Sequence, residues 1–319
     1  MDQKRMAKKL GSDQELKLGI IGMSPGNAHP YSWSSIINGV YDGAEINRIG
    51  YPGVTDYLDK YRDDLGIDGA KVTHVWAQKA EITQSIAKSS GIAHQVNHFT
   101  DMIGEVDAVI LARDDPEHHR KMAEPFIKAG VPIFIDKPLA ANLEDLEYFT
   151  RAEAEGKWIM SCSSMRYAPV VEESRSKIKN LGKIPLVTAV GKKDWLKYGV
   201  HMLEAVFSLV DDPIPASVWS VGEPDKAIVR VKFKNGTLVT AHLFQDIAST
   251  FQVTVFGQNN FIHCDFNNSY TMFRANLEEF IRGLRAGKSL LPYEKTYHVV
   301  RAVIAGLESM ESGEEVFLN

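Results

Sequence analysis

The stretch Gly130-Val131-Pro132-Ile133-Phe134-Ile135-Asp136-Lys137-Pro138-Leu139-Ala140 decides the reading of this chain. Val131–Ile135 is a short apolar run between a glycine and a charged pair, which suits a strand buried on both faces. Upstream, Asp107-Ala108-Val109-Ile110-Leu111-Ala112 has the same continuous apolar look. Between the two, Glu117–Ala129 reads as a helix stopped by Gly130. Strand, helix and strand at this spacing make a parallel βαβ unit.

The pattern extends in both directions. Leu16–Gly22 is a buried strand, Met23–His29 a polar turn, and Pro30 a first helical residue with its φ already set. Trp33, Ile36, Ile37 and Val40 share one face of that helix. Residues 42–70 break the rhythm and read as an insertion, with a turn at Tyr51-Pro52-Gly53. Thr55 is expected to cap a short helix there carrying Tyr57, Leu58 and Tyr61. Lys71–Trp76 is the second strand, and Glu81–Ser90 is a helix stopped by Gly91. Asn142 caps a helix over Leu143–Glu155, with Asp145 at its third position. Trp158–Cys162 is the last strand of this half. The expectation for residues 16–165 is a doubly wound parallel sheet of the dinucleotide-binding, or Rossmann, kind.

The second half changes character. Ile184–Gly191, Ala216–Gly222, Ala227–Phe233, Leu238–Gln245 and Phe251–Phe256 alternate apolar and polar residues as longer strands, and Asn235-Gly236 is a strong hairpin signal. Five or six mostly antiparallel strands are expected. Helices are expected at Gly199–Leu209, Met272–Ala286 and Lys295–Ser309. Residues 166–319 therefore form an α+β domain, and the first fifteen residues, basic and polar, read as a flexible tail.

With 319 residues, the chain is long enough for two domains at roughly 150 residues each. A net charge of −5 gives no basic field for nucleic acid or anionic membranes. No apolar run approaches the roughly 20 residues that cross a bilayer. The two cysteines, Cys162 and Cys264, cannot build a disulfide framework and have no zinc-like spacing, so no metal site is expected. The expected compartment is the cytoplasm.

A dinucleotide-binding fold places a glycine-rich turn after its first strand, where the backbone can approach a pyrophosphate. Here the turn is Gly22-Met23-Ser24-Pro25-Gly26-Asn27, with Ser24 at the second glycine position and no third glycine. Taken alone it is also compatible with an ordinary strand-to-helix loop. The second strand ends in Gln78-Lys79 in place of the acidic residue that meets an adenosine ribose. Gln78 and Lys79 tolerate a 2′-phosphate without excluding NAD, and Lys79 also suits a solvated first helical turn.

Three segments in order, Asp107–His119, Gly130–Ala140 and Met160–Pro169, make the chain resemble the glucose-fructose oxidoreductase / inositol dehydrogenase (Gfo/Idh/MocA) family. The resemblance covers roughly Leu16 to Leu318, insertion excepted. It implies an NAD or NADP cofactor held by Gly22, Ser24, Pro25, Gly26, Asn27, Gln78, Lys79, Asp114, His119, Asp136, Lys137 and Arg166. Lys137 matches the family lysine beside the nicotinamide, and Asp136 stands where the family usually has Glu. Arg166 matches an arginine near cofactor or substrate, and pairing of the two domains is an equal reading of it.

The resemblance also implies a histidine acid/base opening the first helix of the second domain. His201 matches it, with Gly199 in register, but Lys197 stands where the family has Asp. Tyr198 is a candidate to supply a hydroxyl instead. Lys197, one turn before His201, disfavours a charged imidazole, which suits proton acceptance. The catalytic candidates are thus Lys137, His201 and Tyr198. The implied activity is hydride transfer between nicotinamide and a secondary alcohol or ketone of a sugar, cyclitol or related polyol. The alternative is a dinucleotide-binding sensor or regulatory protein without turnover. A homodimer or homotetramer, paired through the outer face of the second sheet, is also implied.

Overall fold

The computed structural model describes residues 14–318; most of the expected N-terminal tail lies outside them. The chain forms two compact units. Of the described residues, one holds those up to Asp136 together with Phe149–Ser161 and Phe273–Tyr293, and the other holds Lys137–Tyr148, Cys162–Met272 and those from Glu294 to Leu318.

The first unit contains a six-stranded sheet built from β1 (Leu16–Ile21), β2 (Ala70–Trp76), β3 (His94–Gln95), β4 (Ala108–Leu111), β5 (Ile133–Ile135) and β6 (Ile159–Met160). All pairings are parallel and the order is β3-β2-β1-β4-β5-β6, the Rossmann order. The continuous apolar runs follow from this: Ala108–Leu111 and Ile133–Ile135 are buried along their whole length. The connecting helices are α1 (His29–Asn38), α2 (Gly43–Arg48), α3 (Pro52–Lys60), α4 (Ala80–Ser90), α5 (His119–Ala129) and α6 (Leu143–Ala154), of which α6 belongs to this unit only from Phe149 on. Pro30 sits in the first turn of α1, and Asn142 Oδ1 accepts from the Asp145 N–H at 2.9 Å, capping α6 as the sequence indicates.

The insertion differs from its reading. Its helix starts at Pro52, and Thr55 lies inside it, buried, with its hydroxyl toward the Gly43 carbonyl at 3.4 Å. Proline at the first turn wins over threonine three residues later because its φ is already helical. A second short helix, α2, is capped by Asp42, whose Oδ1 accepts from the Glu45 N–H at 3.0 Å.

The second unit is organised on β7 (Leu186–Lys192), β8 (Pro215–Glu223), β9 (Lys226–Phe233), β10 (Leu238–Phe244), β11 (Phe251–Phe256), β12 (Phe261–Asp265) and β13 (Val316–Phe317), with α7 (Pro169–Ile178), α8 (Val200–Leu209) and α10 (Tyr293–Ser312); of α9 (Ser269–Ala286), the residues from Phe273 on belong to the first unit. The strand order is β12-β11-β7-β10-β9-β8-β13. Seven strands replace the five or six expected. The two additions, β12 and β13, lie at the sheet edges, and β13 has only two residues, too few for alternation to show. All pairings are antiparallel except β7 with β10. Asn235-Gly236 closes the hairpin between β9 and β10. One face of the sheet is buried under α8 and α10, where Val187, Ala189, Val229, Val239 and Val255 meet Leu203, Val206 and Val303. Helix α7 escapes the sequence reading because its segment, Pro169–Ile178, is mostly polar.

Trp195 fixes the start of α8. It opens a single π-helical turn, Trp195–Gly199, and its buried indole donates to the Val303 carbonyl of α10 at 2.9 Å. Gly199 and Gly306 both lie so close to the indole that a Cβ on either would overlap it.

Candidate functional site

The first unit gathers its candidates where the sheet order reverses, between β1 and β4, the place at which open parallel sheets receive ligands. The turn after β1 is held by side chains from two other loops. Gln78 grips Met23 on both sides: its Oε1 accepts from the Met23 N–H at 3.0 Å and its Nε2 donates to the Met23 carbonyl at 2.5 Å. Ser24, fully buried, donates to Asp114 Oδ1 at 2.5 Å and accepts from the Asp114 N–H at 3.1 Å. Asn27 donates to Asp136 Oδ2 at 3.0 Å. The turn that lacks two glycines is therefore fixed by polar side chains instead.

Two further residues complete this arrangement, and sequence reading did not find them. Arg113 donates to the Met23 carbonyl at 3.2 Å and pairs with Asp115. His29 places Nδ1 2.5 Å from Asp136 Oδ2 and stacks on Trp33, ring centroids 4.3 Å apart. A carboxylate only accepts, so Nδ1 carries a hydrogen there. The available signal was Asn27-Ala28-His29-Pro30, a polar pair just ahead of a helix-starting proline. His119 is buried and donates Nε2–H to the Arg113 carbonyl at 2.8 Å, which fixes the turn after β4. Lys79 is exposed at the N-cap of α4.

These residues fit a dinucleotide at the turn. Gly26 has φ +80°, and nothing lies within 4 Å of the Cβ it lacks, so the backbone there is open to an approaching phosphate. Gly22 serves packing, since a Cβ there would overlap the Pro30 ring. The Gln78 amide is committed to Met23, which leaves Lys79 as the charged candidate near the end of β2.

The second unit brings the catalytic candidates together. Lys137, 3 % exposed, places Nζ 5.2 Å from the centroid of the Tyr198 ring and 3.5 Å from the Lys197 carbonyl. The Lys137–Pro138 bond is cis. His201 lies 5.1 Å from Tyr198 between ring centroids, and Phe251 stacks on Tyr198 at 6.0 Å. Lys193 approaches the same tyrosine, its Nζ 2.5 Å from Tyr198 Oη and 4.4 Å from the ring centroid. Phe251 also lines a cavity of about 420 Å³ with Thr250, Phe266 and Asn267.

A hydrogen-bonded line leads from His201 into the core. His201 Nδ1 is 2.6 Å from Ser163 Oγ, and the Ser163 N–H points to Glu204 Oε1 at 3.4 Å. Glu204 Oε2 accepts from Arg166 Nε at 2.5 Å, and Arg166 Nη1 is 2.8 Å from Asp212 Oδ1. Burial works against the Arg166 charge, but Glu204 and Asp212 together outweigh it and hold the guanidinium protonated. Burial pushes the Glu204 carboxyl up, and Arg166 opposes that push. Arg166 thus reaches His201 through Glu204 and Ser163. Ser163 and Lys193 were not singled out from sequence: one sits in the run Ser161-Cys162-Ser163-Ser164, the other just past the strand expected over Ile184–Gly191.

Comparison with known proteins agrees with this architecture. Residues 48–163 match the model of an oxidoreductase family with an NAD-binding Rossmann fold, GFO_IDH_MocA. The protein YceM of Salmonella typhimurium (strain LT2), an oxidoreductase by its name, is 25 % identical over 170 residues. That match spans about half of each chain, 52 % of this one and 51 % of YceM. Myo-inositol 2-dehydrogenase of Lactobacillus plantarum superposes with a TM-score of 0.76 at 14 % identity, covering 96 % of this chain and 100 % of that one. Scyllo-inositol dehydrogenase of Lactobacillus casei with bound NAD(H) and scyllo-inositol superposes with a TM-score of 0.76 at 12 % identity, covering 95 % and 99 %. At such identities the likeness is one of fold. Among the described residues no helix is long and apolar enough to cross a membrane. Residues 48–163 are thus similar to the Gfo/Idh/MocA oxidoreductase family, and the first sheet has the Rossmann strand order.

Proposed function

We propose that the chain is an NAD(P)-dependent oxidoreductase acting on a secondary alcohol or ketone of a sugar, cyclitol or related polyol. The observation that carries this reading is the grouping of Lys137 and His201 about Tyr198, with the imidazole anchored by Ser163. Bound at the turn after β1, a nicotinamide dinucleotide supplies the hydride acceptor in oxidation and the donor in reduction.

The remaining work falls to side chains. Oxidation of a secondary alcohol releases a hydride from carbon and a proton from oxygen. With Nδ1 engaged by Ser163, His201 takes that proton at Nε2. The Lys137 ammonium donates to the same oxygen and stabilises the charge that grows on it. Phe251 and Tyr198 offer aromatic faces to the C–H surface of a sugar or cyclitol, and the cavity beside Phe251 is of the size that takes one ring. The names of the superposing inositol dehydrogenases support the substrate class.

The test is a titration of the full chain with NAD(H) and NADP(H), followed by a turnover assay on neutral and charged sugars and cyclitols read by nicotinamide absorbance. Binding of at least one cofactor and reduction by at least one polyol is the expected result. Absence of binding for both cofactors at millimolar concentration sinks the proposal.

A further inference from the structure

We propose that the substrate of the Lys137–Tyr198–His201 site carries an anionic group, a carboxylate or a phosphate, and that Lys193 and Tyr198 Oη hold it. The proposal rests on the oxidoreductase reading and names the substrate class for it.

Two ammonium groups, those of Lys137 and Lys193, lie over the one Tyr198 ring, at 5.2 and 4.4 Å from its centroid. Lys137 is buried, and Lys193 is exposed. Among the described residues no carboxylate lies within ion-pair distance of Lys193; its ammonium donates to Tyr198 Oη. The carboxylates nearest along the chain and at the end of the neighbouring strand are committed elsewhere. Asp194 Oδ1 accepts from the Lys197 N–H at 2.8 Å, and Asp246 pairs with Lys226 at 2.8 Å.

Lys193 also holds an unusual backbone. Its φ is +81°, in the left-handed region where a side chain with a Cβ is strained. Its N–H donates to the Phe244 carbonyl at 3.1 Å, which keeps the strand end in that conformation. The strained residue is the one whose cation is aimed at the site tyrosine.

An arriving anion makes this arrangement favourable. Tyr198 Oη accepts from Lys193 and keeps its own hydrogen to donate. The ammonium has two further N–H groups. Together they offer a carboxylate or phosphate adjacent charge-assisted donors, while Lys137 stays with the reacting oxygen.

The experiment is calorimetric titration of the full chain, saturated with NADH, with glucose, glucuronate and glucose 6-phosphate. One of the two anionic sugars is expected to bind about tenfold tighter than glucose or better, from one added charge-assisted contact. Which anion gains separates carboxylate from phosphate. In Lys193→Met that advantage is expected to fall by about tenfold, and Lys193→Arg should retain most of it. Equal affinity for glucose, an advantage unaltered in Lys193→Met, or binding of none of the three sugars overturns the proposal. A loss of NADH affinity in Lys193→Met with the sugar preference intact also overturns it, because the anion would then be the cofactor's own. If neither nicotinamide cofactor binds but the anionic sugar still does, and Lys193→Met still weakens it, the anion site stands and the oxidoreductase reading falls.

Discussion

Ser163 and His201, 38 residues apart in the chain, meet with Oγ and Nδ1 at 2.6 Å. Ser163 Oγ also accepts from the Met165 N–H at 3.2 Å, so the hydroxyl is fixed by its own turn before it meets the imidazole. The ring is thereby oriented from the core side. His201→Ala is expected to lower turnover by ~10²–10⁴-fold with cofactor affinity little changed. Ser163→Ala should lower kcat by about tenfold while KM stays near its original value, because it frees the ring without removing it. Steady-state kinetics on both variants checks this, and undiminished turnover in His201→Ala removes that residue from proton transfer.

The grip of Gln78 on Met23 makes a second prediction. Gln78→Ala deletes both hydrogen bonds to that residue and loosens the turn after β1. Cofactor dissociation constants should rise by about tenfold, with kcat less affected. Lys79→Ala should weaken NADP(H) more than NAD(H), since only NADP(H) presents a 2′-phosphate. Fluorescence titration of the two variants with the two cofactors separates these effects.

Arg166 is the centre of a buried charge group, 7 % exposed and bonded to Glu204 and Asp212. Removing it strands the buried Glu204 carboxylate, while Asp212 keeps Lys295 at 2.6 Å, so Arg166→Ala should cost about 3–5 kcal/mol of stability. The double variant Arg166→Met/Glu204→Leu should recover part of that loss, because the charge that desolvation penalises is gone as well. Urea unfolding measures both. A loss in Arg166→Ala within the range of ordinary surface substitutions would contradict this account.

Glu45 supplies a pH dependence. The Arg48 guanidinium first, then the Ser85 hydroxyl, hold its carboxyl down at about 2, from an ordinary value of 4.5. A carboxyl lowered in the folded state adds stability above its unfolded value and loses it as pH falls through the folded one. The contribution should therefore be complete above about pH 5, decline from there to about pH 2, and be absent in Glu45→Gln. At neutral pH the substitution should cost about 1 kcal/mol. Thermal unfolding of both proteins across that range checks the sign.

The outer face of the second sheet leaves Trp219, Val221, Ile228, Leu238, Phe261 and Phe317 exposed. Val221 pairs with Ile228 across β8 and β9, and Phe317 extends the face at the β13 edge. An apolar face of this kind is expected to be covered by a second copy of the chain, giving a dimer or tetramer. Sedimentation at micromolar concentration should show the oligomer, and Trp219→Glu/Ile228→Lys should shift it toward monomer. A wild-type chain that sediments only as monomer contradicts the association and leaves the fold untouched.

Much of the fold was legible because buried parallel strands and capped helices leave strong local signals. Val131–Ile135 and Asn142–Asp145 needed no knowledge of their neighbours. The two-residue strands β3 and β13 and the polar helix α7 were not legible, since tertiary pairing supplies what their own residues do not. At the site, Lys137 and His201 were named through the family resemblance, with Tyr198 beside them. His29, Arg113, Ser163 and Lys193 did not. Each takes its role from a partner far away in the chain or on another element, as His29 does from Asp136 and Ser163 from His201. Gln78 was singled out for a ribose, but its amide lies against Met23, a contact that no spacing rule reveals.

The indole of Trp195 sets the tolerance of the whole second-unit site. The turn that carries Lys197 and Tyr198 begins at this residue, and Gly306 on α10 lies against the indole at Nε1 and Cε2. Position 306 is more than a hundred residues from His201 and touches no candidate ligand, yet a single methyl group there has nowhere to go except into the wedge that seats the turn. The error would appear as misplacement of Tyr198 and the two lysines around it, while the sheet beneath stayed folded. Inherited change at a helix glycine deep in the core would thus surface as altered substrate selection, and a search for selectivity determinants confined to site-lining residues would pass it by.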